Sequence, residues 1–178
     1  MNVYTKKIKE YKILNDKAKK NATVFFGADW LYEVPIAELL EDYALEIPVY
    51  NRSLKGLKID EAEKVVESVI CTLSPEKVFI NLGENDVNAP DFNPEKFAEK
   101  YEWLLYTLHA KCNCELYILS IAGEQYGAVN VLLRKIAEKY ECTYIDTQNC
   151  CTSFLQFFSK IRFFLRKQPI TFFQAMNM

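Results

Sequence analysis

Five short apolar runs, each separated from the next by a stretch of helical pattern, constrain this chain more than anything else in it. They are Thr23–Gly27 (TVFFG), Ile47–Asn51 (IPVYN), Lys77–Leu82 (KVFINL), Glu115–Ile121 (ELYILSI) and Cys142–Asp146 (CTYID). Helical spacing fills the intervals, from about Leu31 to Tyr43, from Ile59 to Leu73, from about Pro94 to Ala110 and from Ala128 to Tyr140. In the second of these, Ile59, Ala62, Val65, Val66, Val69, Ile70 and Leu73 recur every three to four residues and define one apolar stripe. Asn93-Pro94 predicts a helix start, since proline at the first helical position gives up an amide that would be unpaired anyway. A polar helix over Lys6–Lys20 leads, and a helical segment over Ser153–Lys167 follows. Strands joined by helical crossovers pair in parallel, with helices on both faces and right-handed connections. The expected fold is therefore α/β, a three-layer α/β/α sandwich around a five-stranded parallel sheet. It forms one domain over 1–178, with 1–22 as the leading helix and 153–178 as the C-terminal helix and apolar tail.

The 178 residues suffice for one substantial core. A net charge of −2 argues against a nucleic-acid partner. The N-terminal segment is basic but has no apolar core or small-residue cleavage site, so it does not read as a signal peptide. No apolar run approaches the ~20 residues of a membrane span. A cytoplasmic protein is the expectation, with its six cysteines as reduced thiols. Cys112-Asn113-Cys114 and Cys150-Cys151 lack the spacing of the common zinc knuckle, and the only histidine lies elsewhere. Neither metal nor cofactor is expected.

In parallel sheets of this kind, ligands sit beyond the C-terminal strand ends, where the strand order reverses. Three loops meet there: Gly27-Ala28-Asp29-Trp30, Asn51-Arg52-Ser53 and Gly83-Glu84-Asn85-Asp86. Together with their flanks they carry a family resemblance. KVFINLGENDV (Lys77–Val87) resembles the strand and G-x-N-D block of the SGNH (GDSL-like) hydrolases, whose fold is flavodoxin-like. VYNRSLKG (Val49–Gly56) resembles the block usually written N-R-G-x-x-G. FFGADWLYEVPIAELL (Phe25–Leu40) resembles the first block, which normally reads G-D-S. VNVLLRKIAEKYECTYID (Val129–Asp146) resembles the helix and strand before the catalytic Asp-x-x-His. The resemblance implies ester hydrolysis by serine, histidine and aspartate, with amide donors for the oxyanion. It assigns the nucleophile position to Asp29 and the oxyanion positions to Ser53 and Asn85.

The sequence departs from that chemistry where it matters. Ala28 and Asp29 stand in place of Asp and Ser, Ser53 replaces a glycine, and no histidine follows Asp146. His109 belongs near the end of a helix on the side away from the loops, where capping explains it. Ser53 has no base that the sequence identifies and reads as a turn residue. No residue is thus assigned as catalytic. Asp29 is open to two readings, a cap for the following helix or a fixed anion in the pocket. Glu84 and Asp86 could complete an acidic pocket; alternatively Asp86 fixes the Asn85 loop while Glu84 faces water. Trp30, Tyr32 and Tyr126 are read as core aromatics or as platforms along the cleft. The candidate pocket comprises Gly27, Ala28, Asp29, Trp30, Asn51, Ser53, Gly83, Glu84, Asn85 and Asp86.

The expectation that follows is a catalytically impaired hydrolase with a residual small-molecule pocket. One alternative is an active hydrolase of small esters, acetylated carbohydrate or lipid, with an atypical site around Asp29 and Asn85. A second is an interaction module built on the aromatic tail, through which the chain could self-associate. Deleting Pro169–Met178 is expected to destabilise the protein or alter its oligomeric state.

Overall fold

The computed structural model describes residues 4–150 and 153–166. The five strands are β1 Thr23–Gly27, β2 Val49–Asn51, β3 Lys77–Asn81, β4 Glu115–Leu119 and β5 Thr143–Ile145. They form one parallel sheet in the order β2-β1-β3-β4-β5. The order reverses between β1 and β3, whose register runs from Thr23↔Lys77 to Gly27↔Asn81. Both of these central strands are buried at every residue, as strands covered on both faces must be. The α/β/α architecture expected from the sequence is present.

Alternation along the strands divides the core in two. Val24, Phe26, Val78, Ile80, Leu116 and Ile118 face one layer of helices. That layer comprises α1 Thr5–Asn15, α4 Ile59–Val69, α6 Pro94–Cys112 and α7 Gly127–Lys139. On the other face Phe25 stacks on Phe79 at 4.9 Å and Phe79 on Tyr117 at 4.4 Å, a ring ladder across three strands. Over that ladder lie α2 Asp29–Glu33, α3 Ile36–Asp42 and α8 Phe154–Leu165. Phe157, Phe158, Ile161 and Leu165 of α8 are buried there. The expected tail deletion, Pro169–Met178, lies outside the described residues. Among those described, no helix is long and apolar enough to cross a membrane.

Three boundaries differ from the sequence pattern. The helix expected over Leu31–Tyr43 is two helices, broken at Val34-Pro35, where Val34 is extended (φ −66°, ψ 123°). Proline pushes its predecessor out of helical geometry, and the apolar spacing runs across the break. The leading helix stops at Asn15, whose side chain is buried and donates to the Val69 carbonyl. The loop Gly83–Pro94 contains a one-turn helix, α5 Glu84–Val87.

A candidate site in which a carboxylate binds Gly56 and Asn85

Close packing at the strand ends builds the site. Gly27 ends β1, and a Cβ there would lie 2.5 Å from the Asn81 carbonyl, so only glycine lets β1 and β3 approach so closely. The chain then turns into α2. Ala28 precedes the helix without capping it, and Asp29 is the first helical residue. Gly83 turns the chain after β3 at φ +127°, where a side chain would also strike Ile121 and Phe97. This turn starts α5 and presents Asn85.

The Asp29 carboxylate does not cap its own helix. Its Oδ2 accepts from the Gly56 amide at 2.7 Å and from Asn85 Nδ2 at 2.6 Å. Asn85 Nδ2 also lies 3.4 Å from the Leu57 carbonyl. Glu84 lies by the α2 N-terminus, where the nearby backbone amides of Asp29 and Trp30 favour its charged form. Burial, then the neighbouring Asp29 charge, push the Glu84 carboxyl above its ordinary range, against the pull of those two amides. Glu84 is half-buried rather than facing water. Asp86 accepts from the Ile59 amide through both oxygens, at 3.1 and 3.2 Å, and so caps α4. Its carboxyl too is raised, by burial first, against the hydrogen bond from Ile59.

The second loop is scaffold beneath this arrangement. Asn51 donates to the Leu31 carbonyl at 2.9 Å and accepts from the Ser53 amide at 3.0 Å. The Ser53 amide is therefore engaged within the turn, and its hydroxyl is buried without a hydrogen-bond partner. The amide that reaches the site is that of Gly56, three residues further on, at φ +73°. Sequence reading passed over Gly56, although a glycine closing the VYNRSLKG block was its available signal. Helix α1 fastens this loop from outside. Tyr4 donates to the Gly56 carbonyl at 2.5 Å, Tyr11 to the Ser53 carbonyl at 2.8 Å, and Arg52 Nε to Asn15 Oδ1 at 2.9 Å. The buried Arg52 guanidinium lies 4.9 Å from the Tyr11 ring centre and 5.0 Å from that of Tyr50. Burial lowers its pKa.

The remaining candidates disperse. Trp30 turns its ring into the α8 layer, edge-on to Phe157 at 4.7 Å. Tyr126 is buried and accepts from Asn88 Nδ2 at 2.9 Å, while Tyr32 is on the surface. His109 is exposed in the last turn of α6, at the edge of the sheet opposite the site. A cleft of about 380 Å³ adjoins the site on the side of α4 and α6, with Asp86, Ile59, Lys58, Phe92 and Lys96 among its walls. Among the described residues no group of three or more His, Cys, Asp or Glu side chains is placed to hold a metal ion.

No family model and no curated protein matches the sequence. Solved structures do match. A structure from Streptococcus pneumonia named for platelet activating factor superposes with a TM-score of 0.72 at 16% identity, over 90% of this chain and 92% of its own. A GDSL-like lipase from Bacteroides thetaiotaomicron gives 0.67 at 15% identity, over 78% and 77%. The chain has the fold of the GDSL-like lipases. The psychrotrophic esterase EstA from Pseudoalteromonas, at 0.65 and 17% identity over 82% of this chain and 99% of its own, extends the likeness to an esterase.

Proposed function

We propose that this chain is an SGNH-type hydrolase that has lost ester hydrolysis and keeps a small-molecule pocket at the strand ends. One observation carries the reading: the Asp29 carboxylate accepts from both the Gly56 amide and Asn85. Acyl transfer needs such donors free for the oxyanion that develops in the transition state. The Glu84 carboxylate lies close to the backbone amide at the nucleophile position, a further donor in acyl-transfer enzymes. An oxyanion forming here would displace one carboxylate and face its charge. Two unit charges ~4 Å apart at an effective dielectric of ~20 repel by about 4 kcal/mol. Position 29 offers no nucleophile of the serine type, and the sole histidine is at the far edge of the sheet. The cleft beside Asp86 supports the retained pocket.

Turnover of p-nitrophenyl acetate tests the loss of catalysis. Wild type and Asp29→Ser are both expected to stay at the buffer rate, because a serine alone has no base. Activity in wild type that Asp29→Ala abolishes would replace this reading with that of an active hydrolase built on Asp29. The pocket is tested separately, by thermal shift with acetylated oligosaccharides. A raised melting temperature that Asp86→Ala removes supports it, and no shift with any of them counts against it.

A further inference from the structure

The outer face of α1 carries a second surface, independent of the reading of the site. Residues 1–20 hold seven lysines against Glu10 and Asp16, so a chain with a net charge of −2 gathers positive charge at this pole. The helix buries Tyr11 and Asn15 against the protein. Outward, Lys6, Lys9 and Ile13 follow one another at helical spacing, with Lys12 and Leu14 on the two flanks. Among the described residues, Lys7 pairs with Glu10 at 3.3 Å, while Lys6, Lys9 and Lys12 form no ion pair. Ile13 is 69% exposed and Leu14 53%, two adjacent aliphatic side chains standing in water among ammonium groups. At the foot of the helix a groove of about 510 Å³ opens between α1 and α4. Lys12, Lys20, Ser68 and Thr72 line it, together with Asn15 and Asp16.

We propose that this face docks on an anionic lipid bilayer, its lysines among the headgroups and Ile13 and Leu14 in the interfacial layer. Charge complementarity alone would also suit an acidic polypeptide or a nucleic acid. The two aliphatic side chains decide between them, because only a bilayer offers lysines a charged layer and aliphatics a hydrocarbon layer a few ångströms deeper.

Co-sedimentation of the full chain with vesicles tests the proposal. The protein should pellet with phosphatidylcholine vesicles containing phosphatidylglycerol, stay in solution with phosphatidylcholine alone, and be released by high salt. The triple variant Lys6→Gln/Lys9→Gln/Lys12→Gln should weaken binding about a hundredfold, since each lysine near an anionic surface contributes roughly a fivefold factor. Ile13→Ser/Leu14→Ser should weaken it about tenfold, as exposed positions whose replacement leaves the fold intact. Failure to bind anionic vesicles, or equal binding to neutral ones, would overturn the proposal. So would binding unchanged by Ile13→Ser/Leu14→Ser but matched by polyglutamate or DNA, which would make the partner an acidic polymer.

Discussion

At the scale of single residues, the site is held by charge-assisted bonds that can be removed one at a time. Asp29→Ala leaves the Gly56 amide and the Asn85 carboxamide without this acceptor. A loss of about 1–3 kcal/mol in urea unfolding is expected, and an unchanged midpoint would mean that the pair contributes nothing. Glu84 makes a prediction in pH. Its folded carboxyl titrates above the ordinary value, so the native state binds its proton at a pH where the unfolded chain has released it. This group therefore lowers stability as pH rises through that window and restores it as pH falls. The stability of Glu84→Gln relative to wild type should be highest at neutral pH and decline toward the carboxylate range, measured by urea unfolding at several pH values. A difference independent of pH would contradict the assignment. Asn85 was legible in the sequence because G-x-N-D is a compact motif. The destination of the Asp29 carboxylate was not, since its two partners lie 27 and 56 residues away and depend on a glycine turn without a side-chain signature.

At the scale of elements, α1 and α8 matter for different reasons. Helix α1 ties the Asn51–Leu57 loop through Tyr4, Tyr11 and Asn15. Tyr11→Phe removes the bond to the Ser53 carbonyl and should cost about 1 kcal/mol. It should also speed amide hydrogen exchange at Gly56 more than at residues of β3; equal effects on both would show that the loop is held by other means. Helix α8 carries Phe157 and Phe158 onto the ring ladder, and Phe157→Ala should cost about 3–5 kcal/mol as a buried aromatic truncation. A cost below 1 kcal/mol would mean that α8 is not part of the core. Strand identities were readable because TVFFG and KVFIN each carry an unbroken apolar run, Val24–Phe26 and Val78–Ile80, as fully covered parallel strands require. The α2–α3 break was missed because Leu31, Val34, Ile36 and Leu39 keep a near-helical apolar rhythm across Pro35, a burial pattern that two short helices can share.

At the scale of the whole molecule, both helical layers press on one sheet, and neither has a core without it. Unfolding is therefore expected to be a single transition. The fluorescence of Trp30, in the α8 layer, read in a Trp103→Phe variant that removes the exposed second tryptophan, should change at the same urea concentration as far-UV circular dichroism. An earlier fluorescence transition would separate the α8 layer from the rest. The parallel pairing and both layers followed from element sequence alone, because helical crossovers between strands require both. The charge distribution over the surface did not follow, since a basic N-terminal segment in sequence does not say which lysines face outward.

The carboxylate at position 29 also bears on reversibility. An enzyme of this architecture keeps polar donors waiting between turnovers and carries them as a standing cost to its native state. Here those donors are satisfied from within, and the fold rests on that satisfaction. Replacing Asp29 by a hydroxyl would remove that acceptor from the Gly56 amide and Asn85 and so loosen the molecule. On the proposed reading, a hydroxyl at position 29 would therefore cost stability without bringing catalysis, and the fold itself would oppose that replacement.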